Sequence, residues 1–547
     1  MTSTSANANS NCSNDQAKRE YQLDDIWHLI NQRAADAALQ SLNTYTSKYP
    51  DYDHGWFAFS FLLFQLKRAE SSLECIDKAI ALSPTCSDWR IHRAHVLWLQ
   101  NRLKEGQEEL AKLVSLPDSK QLLVELASVS NKLSDYSMAE KTYLALLNIE
   151  NQPQARAQLF FNLASVQRYL GKLSESEQNL NQAIELNTLD TEAILLRSSL
   201  KKQTLDSNHV ASLQGLLTTN KLNPLQTSQL CYSLAKELED LQQYDASFDY
   251  LAKGADSRRS TLRYQVEGDI EALAAIRDTF DSQYFQQKSK ENAQLEQPAD
   301  CTPIFIFGLP RTGSTLIERI LSGHSEVTSA GELNHFSWQF MQQITKQFNT
   351  KPENKTATIG YSKRLDLSGL ANGYLESTRP FWKNQRYFID KLPLNSLNAG
   401  LIRGALPQAK MILVQRHPMD TCYAIYKHLF TQGYPFSYCL NELGQYYIAH
   451  HKLMQHWIQE MGEAIYQVRY EDLLAASQVQ TKNMLAYCGL DFQPQCMAFE
   501  KNHQASTTAS ASQVRQGLYK DSLAKWRNYE KQLAPLLEQL QQAGIEI

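Results

Sequence analysis

Five pairs of small residues, each pair twelve positions apart, recur along the first half of the chain. They are Ser60 and Ser72, Ala94 and Gly106, Ala127 and Ala139, Ala164 and Ser176, and Ala235 and Ser247. Successive pairs lie about 33 to 37 residues apart, with one double-length interval that must hold a degenerate unit. A small residue lets two helices approach closely, and a constant offset puts that approach at the same point of every unit. In the clearest unit, Leu163, Leu170, Leu173, Leu180, Ala183 and Leu186 form an apolar stripe at helical spacing. Pro50, Pro84 and Pro117 fall near the ends of the early units. Residues 21–288 are therefore predicted to be a stack of helix pairs in which each unit buries its face against its neighbours.

The 547 residues are too many for one core, so a second domain is expected. A net charge of −4 argues against a general nucleic-acid binder. The nine cysteines are scattered, with no C-x-x-C pair, which points to reduced thiols and a cytoplasmic protein. Residues 1–20 begin with a Ser-, Asn- and Thr-rich run and read as a disordered tail rather than a signal peptide. No apolar run is long enough to span a bilayer. No metal-ligand spacing occurs; His450 and His451 lie in an amphipathic pattern that reads as a core helix.

Residues 289–300 are polar and read as a linker, after which the texture changes. Short apolar runs at 304–307, 387–389, 411–414 and 465–468 alternate with helical patterns. That alternation predicts a parallel sheet flanked by helices over 301–547. Ligands on such sheets bind at the carboxyl ends of strands. Arg311, Asp390 with Lys391, Arg416 and Tyr470 each follow one of the four runs.

The first run leads into GLPRTGST at 308–315, a strand, a tight loop and a helix start. Such a loop presents backbone N–H groups and the positive end of a helix dipole to an anion. The nucleotide-hydrolase loop G-x-x-x-x-G-K-[ST] needs a Lys for the β/γ-phosphates. Here Ser314 holds that place and Arg311 sits inside the loop. A planar guanidinium grips a terminal oxyanion through two hydrogen bonds. The loop suits a phosphate-bearing donor other than a nucleoside triphosphate.

Further motifs follow in order: AGE at 330–332, DKLPLN at 390–395, QRHPMD at 415–420, and SASQVRQGLYKDSLAKW at 510–526. With them the second half resembles the sulfotransferases that use 3′-phosphoadenosine-5′-phosphosulfate, and most of all the tyrosylprotein sulfotransferases and their bacterial relatives with repeats. The first half resembles a tetratricopeptide-repeat superhelix. The resemblance implies that Arg311, with Thr312, Gly313, Ser314 and Thr315, holds the 5′-phosphate and sulfonate. It makes Glu332 the general base, with His335 as its rival, and sets Lys391 over the bridging oxygen. Arg416 matches the 3′-phosphate Arg. The Ser that the family commonly has eight residues later is here Ala424, which removes one donor. Ser510 matches a Ser assisting at the reacting centre, Lys525 a 3′-phosphate or adenosine contact, and Tyr470 an adenosine-side aromatic. Arg515 lies in the same loop as Ser510.

The expected function is a metal-free sulfotransferase. Its leading acceptor is tyrosine in a peptide or protein, with a small alcohol, phenol or sugar as the alternative. The repeats either hold that acceptor or another protein partner, or only pack against the second domain. Ser314 argues against a P-loop kinase. Retention of Arg311, Glu332, Lys391 and Arg416 argues against a repeat scaffold with a decayed second domain.

Overall fold

The small-residue pairs are where helices touch. The structure, a computed structural model, describes residues 6–100, 102–219, 221–292, 301–499 and 523–547. Ser60 Oγ donates to the Ser72 carbonyl at 2.8 Å, and Ser72 Oγ returns a bond to the Ser60 carbonyl at 2.8 Å. Ser176 reaches the Ala164 carbonyl and Ser247 the Ala235 carbonyl, both at 2.7 Å. A hydroxyl on one helix thus satisfies its own donor on the backbone of the other, which only a side chain this short can do. At Gly106 even a Cβ would stand 2.5 Å from Leu133 Cδ2.

The turn inside these helix pairs is also repeated. Arg33, Lys67, Ser134, Gly171 and Gln242 each sit between two helices with a positive φ of 57° to 81°. Four of the five are not glycine, and each left-handed residue costs roughly 1–2 kcal/mol. The close helix contacts on both sides hold the turn in that conformation. Without glycine the turn leaves little mark in the sequence.

Two compact units emerge, Met1–Thr188 and Leu189–Ile547. In the first, helix pairs run from Ala6–Asn31 to Leu173–Leu186. Helix Ala6–Asn31 takes in residues 6–20, where the composition predicts a tail; Leu23, Ile26 and Ile30 are buried and anchor it. In the second unit, short helices Thr191–Leu200 and Val210–Thr219 occupy the double-length interval, and helices Pro224–Asp240 and Tyr244–Arg259 carry the Ala235–Ser247 pair.

The second unit also holds a five-stranded, all-parallel sheet. Its strands are β1 (Thr302–Gly308), β2 (Val327–Ser329), β3 (Tyr387–Lys391), β4 (Lys410–Gln415) and β5 (Ile465–Arg469). Their order is β2-β3-β1-β4-β5. The four apolar runs become β1, β3, β4 and β5; β2 is too short to have stood out. Alternation along β1 splits the interior in two. Ile304 and Ile306 face a core with Ile317, Ile320, Ile389 and Val414. Phe305 and Phe307 face a larger core with Phe388, Met411 and Trp457.

That larger core includes Tyr232, Phe248, Phe280 and Tyr284, which come from helices N-terminal to the sheet. Phe280 lies 5.9 Å from Trp457, Tyr232 donates to the Tyr426 carbonyl at 3.0 Å, and Arg259 pairs with Glu442 at 2.7 Å. The sequence places a boundary near 289–300, where helix Ser282–Asn292 ends and residues 293–300 lie outside the described residues. The compact units part at Thr188 and Leu189, because the helices between share one apolar interior with the sheet.

A fragment of residues 301–547 is expected to aggregate, since it bares the face that Phe248, Phe280 and Tyr284 cover. A fragment of residues 189–547 is expected to stay monodisperse and unfold cooperatively. Size-exclusion chromatography and urea titration of both check this. A well-behaved 301–547 fragment would contradict the shared core.

Candidate functional site

β1 has neighbours on both sides, β3 and β4, so three strand ends open at the same edge. The strand register brings Ile306 opposite Lys391 and Gly308 opposite Val414. Gly308 comes so near β4 that a Cβ would lie 2.4 Å from the Val414 carbonyl oxygen. The chain then turns through Arg311, held left-handed at φ 67°, and Gly313 at φ 102°, into helix Ser314–Leu321. Thr312 Oγ1 donates to the Leu309 carbonyl at 2.8 Å and braces the loop. Thr312, Ser314 and Thr315 are buried in it.

Arg416, just beyond β4, is drawn to this loop. Its Nη1 donates to the Arg311 carbonyl at 3.1 Å, and its guanidinium lies 5.1 Å from the Tyr470 ring. Tyr470 opens helix Tyr470–Ala475 after β5 and presses on Gly313, where a Cβ would meet its ring at 2.5 Å. Burial and the neighbouring Arg416 push the Arg311 guanidinium down to about 10. Two like charges held this close form a seat complementary to an anion.

On the other side of β1, Gly331 (φ 72°) turns the chain back across the end of β3. Ala330 N donates to the Ile389 carbonyl and Lys391 N to the Gly331 carbonyl, both at 2.9 Å, which extends the β2–β3 ladder by one turn. The result sets Glu332 against Lys391, whose Nζ donates to Glu332 Oε1. Lys391 is buried, while the Glu332 side chain is 43% exposed. Glu318 Oε2 stands 3.8 Å from the same Nζ, and Ser329 Oγ holds Glu318 Oε1 at 2.5 Å. Sequence reasoning missed Glu318, because only the crossover from β1 through β2 brings it to Lys391.

Asp390 points to the opposite face, as strand alternation requires. Tyr374 OH donates to it at 2.8 Å and Asn395 Nδ2 at 3.2 Å. Asp390 is therefore neither exposed nor paired with Lys391 in a surface ion pair. Burial pushes its carboxyl up to about 7, against the pull of Tyr374 and Asn395.

His335 begins helix His335–Phe348, one turn past Glu332. Its ring lies 5.4 Å from Trp338 and 5.5 Å edge-on to Phe381, and burial lowers its pKa. Burial and the charge of Glu332 push the Tyr434 hydroxyl up. Glu332 thus lies at an aromatic edge. Ala424 is half-buried on helix Pro418–Tyr426. Lys525 pairs with Glu239 at 3.4 Å. Ser510 and Arg515 lie outside the described residues.

Residues 303–494 match the family model described as "Sulfotransferase family", and residues 157–188 match a tetratricopeptide repeat. The chain carries a sulfotransferase domain and a tetratricopeptide repeat. A protein of Aquifex aeolicus (strain VF5), named only as uncharacterized, is 28% identical over 391 residues, 70% of this chain and 50% of its own length. The chain thus spans about half the length of that curated relative. Among solved structures, the sulfotransferase domain of the Synechococcus PCC 7002 olefin synthase is 19% identical, over 46% of this chain and 99% of its own, with a TM-score of 0.32. The sulfotransferase domain of the curacin biosynthetic pathway is 16% identical over 45% and 99%, with a TM-score of 0.30. Among the described residues no helix of this sulfotransferase-domain protein is long and apolar enough to cross a membrane.

Asp390 makes the stability of the sulfotransferase domain depend on pH. Folded, it holds its proton up to about 7; free, it releases it near 3.8. Its contribution is complete below the lower value and is lost as pH rises toward the higher one. Asp390→Asn is expected to leave the urea midpoint little changed at acid pH and to raise it above neutrality relative to the unsubstituted protein. A midpoint difference that stays constant across that range would contradict the buried, protonated carboxyl.

Proposed function

We propose that this chain is a sulfotransferase that moves a sulfuryl group from 3′-phosphoadenosine-5′-phosphosulfate to a tyrosine hydroxyl in a peptide or protein. The observation that carries the reading is the meeting of Arg311, Arg416 and the Lys391–Glu332 pair at the carboxyl ends of β1, β4 and β3. The residues suit such a donor: two crowded guanidiniums, a helix N-terminus, and a tyrosine ring beside the second guanidinium. The donor, when bound, supplies an activated sulfuryl group and a phosphate leaving group.

The side chains divide the work. Arg311 and the 312–315 turn hold the phosphosulfate end, and Arg416 holds the other phosphate with Tyr470 along the adenosine. Lys391 places a buried positive charge where the leaving oxygen gains negative charge. Glu318, fixed by Ser329, keeps that ammonium in place while the half-exposed Glu332 turns from it to take the acceptor's proton. The aromatic edge of His335, Trp338, Phe381 and Tyr434 supports a phenol at that position. Ser510 is proposed to assist in the reaction and Arg515 to bind the donor; both lie outside the described residues. The repeats are proposed to take the peptide or protein partner, in keeping with their class.

Calorimetry should show adenosine 3′,5′-bisphosphate binding far more tightly than ATP, without added metal. Arg311→Ala and Arg416→Ala should each weaken it by about tenfold or more, the loss of a charged hydrogen bond. Glu332→Gln should keep that affinity and lose about a hundredfold or more in turnover, measured as radiolabelled sulfate transfer to tyrosine peptides. Equal affinity for ATP would overturn the donor; full activity of Glu332→Gln would move the base to His335. Transfer to sugars or aliphatic alcohols but not to tyrosine peptides would replace the acceptor.

A further inference from the structure

Ala424 leaves the second phosphate of the proposed donor one hydroxyl short, and a lysine pair lies beside the gap. We propose that Glu239, on helix Pro224–Asp240 outside the sheet domain, is a positioning residue that holds Lys427 and Lys525 together as the seat for that phosphate. The inference rests on the donor reading above and deepens it.

The geometry starts with the carboxylate. Glu239 Oε1 accepts from Lys427 Nζ at 2.9 Å and lies 3.4 Å from Lys525 Nζ. Glu239 Oε2 accepts from Tyr423 OH at 2.5 Å, from Lys427 Nζ at 3.1 Å and from Tyr529 OH at 3.3 Å. Tyr529 is within 3.3 Å of Ser247 Oγ, itself bonded to the Ala235 carbonyl. Two phenols and a repeat helix therefore fix the carboxylate, and the carboxylate fixes the two ammoniums. An ammonium has three donors, and Glu239 engages two of those on Lys427.

Lys427 lies within electrostatic reach of Arg311 in the anion seat. It lies three residues beyond Ala424, at the C-terminal cap of helix Pro418–Tyr426. Next to Lys525, Trp526 stacks on His417 at 5.8 Å with an interplanar angle of 17°, and His417 adjoins Arg416. Asp420 Oδ2 accepts from Ala524 N at 2.7 Å and pins this return of the chain to the start of the same helix. Burial lowers the pKa of both Lys427 and His428, and the charge of Arg311, which reaches both, lowers it further.

The charges need such an arrangement. Arg311, Arg416, Lys427 and Lys525 repel one another, and Glu239 offsets part of that repulsion. Burial pushes its carboxyl up, but Lys427, Lys525 and Tyr423 bring it down to about 2. Burial, Lys525 and Arg311 press Lys427 toward losing its proton, and Glu239 opposes them. The Tyr423 ring, 5.0 Å from the Nζ, and His428 complete its surroundings. Two lysines and one carboxylate leave a net positive charge for a phosphate to meet. The helical segment would thus contribute to donor binding itself, beyond packing on the sheet.

The test uses the full chain, with adenosine 3′,5′-bisphosphate and adenosine 5′-monophosphate titrated across pH by calorimetry. The two ligands differ only in the phosphate at issue. Lys427→Met, which keeps side-chain length, should weaken the bisphosphate about tenfold or more and leave the monophosphate unchanged. Lys427→Arg should retain bisphosphate binding. Glu239→Gln should bind the bisphosphate more weakly, and its affinity should decline at lower pH than in the unsubstituted protein, because the amide no longer holds a proton on Lys427. A purely structural role for Glu239 would weaken both ligands alike with an unshifted pH profile, and would overturn the proposal. So would a Lys427→Met protein with unaltered bisphosphate affinity, while the donor reading stood. If Lys427→Met does not fold, the pH profile of Glu239→Gln decides. An unsubstituted protein that fails to prefer bisphosphate over monophosphate would overturn the donor reading and the seat together.

Discussion

Parallel pairing of β1 with a strand on each side is the constraint on which the rest depends. Parallel strands all end at one edge, so the residues after β1, β3 and β4 must meet there. No side-chain interaction is needed to bring Arg311, Lys391 and Arg416 into one region; backbone hydrogen bonding does it. The close approach at Gly308 and the left-handed turn at Arg311 and Gly313 then aim the first of them.

The edge so formed is electrostatically divided. On the β4 side, cations crowd one another, and the pKa of Arg311 is lowered by burial and by Arg416. On the β3 side, Lys391 is already balanced between Glu332 and Glu318. A site that only bound anions would not need carboxylates, and one that only moved protons would not need crowded guanidiniums. The combination suits group transfer, with charge stabilised at one end and a proton taken at the other.

The helices between Leu189 and the sheet belong energetically to the sheet's unit. Phe248, Phe280 and Tyr284 cover its larger core, and Glu239 bonds to Lys427 and Lys525. In a repeat array each unit contacts only its neighbours. Here the last units have exchanged a neighbour for an α/β domain, and their packing surface is continuous with it.

Much of this was legible from the chain alone. Twelve-residue offsets between small residues marked the helix contacts, because only Gly, Ala and Ser fit there. Apolar runs marked four of the five strands, and motif order marked Arg311, Glu332, Lys391 and Arg416. The linear pattern could not show which residues come from afar to those places. Glu318 meets Lys391 across the β1–β2 crossover, and Glu239 meets Lys427 across nearly two hundred positions. Nor could it show that Asp390 is buried beneath Tyr374 while its neighbour Lys391 faces the other side. Local sequence determines which elements form and what they present at their ends, since period and turn chemistry are short-range. Burial, partner and charge state are properties of the assembled interior, and only the tertiary structure decides them.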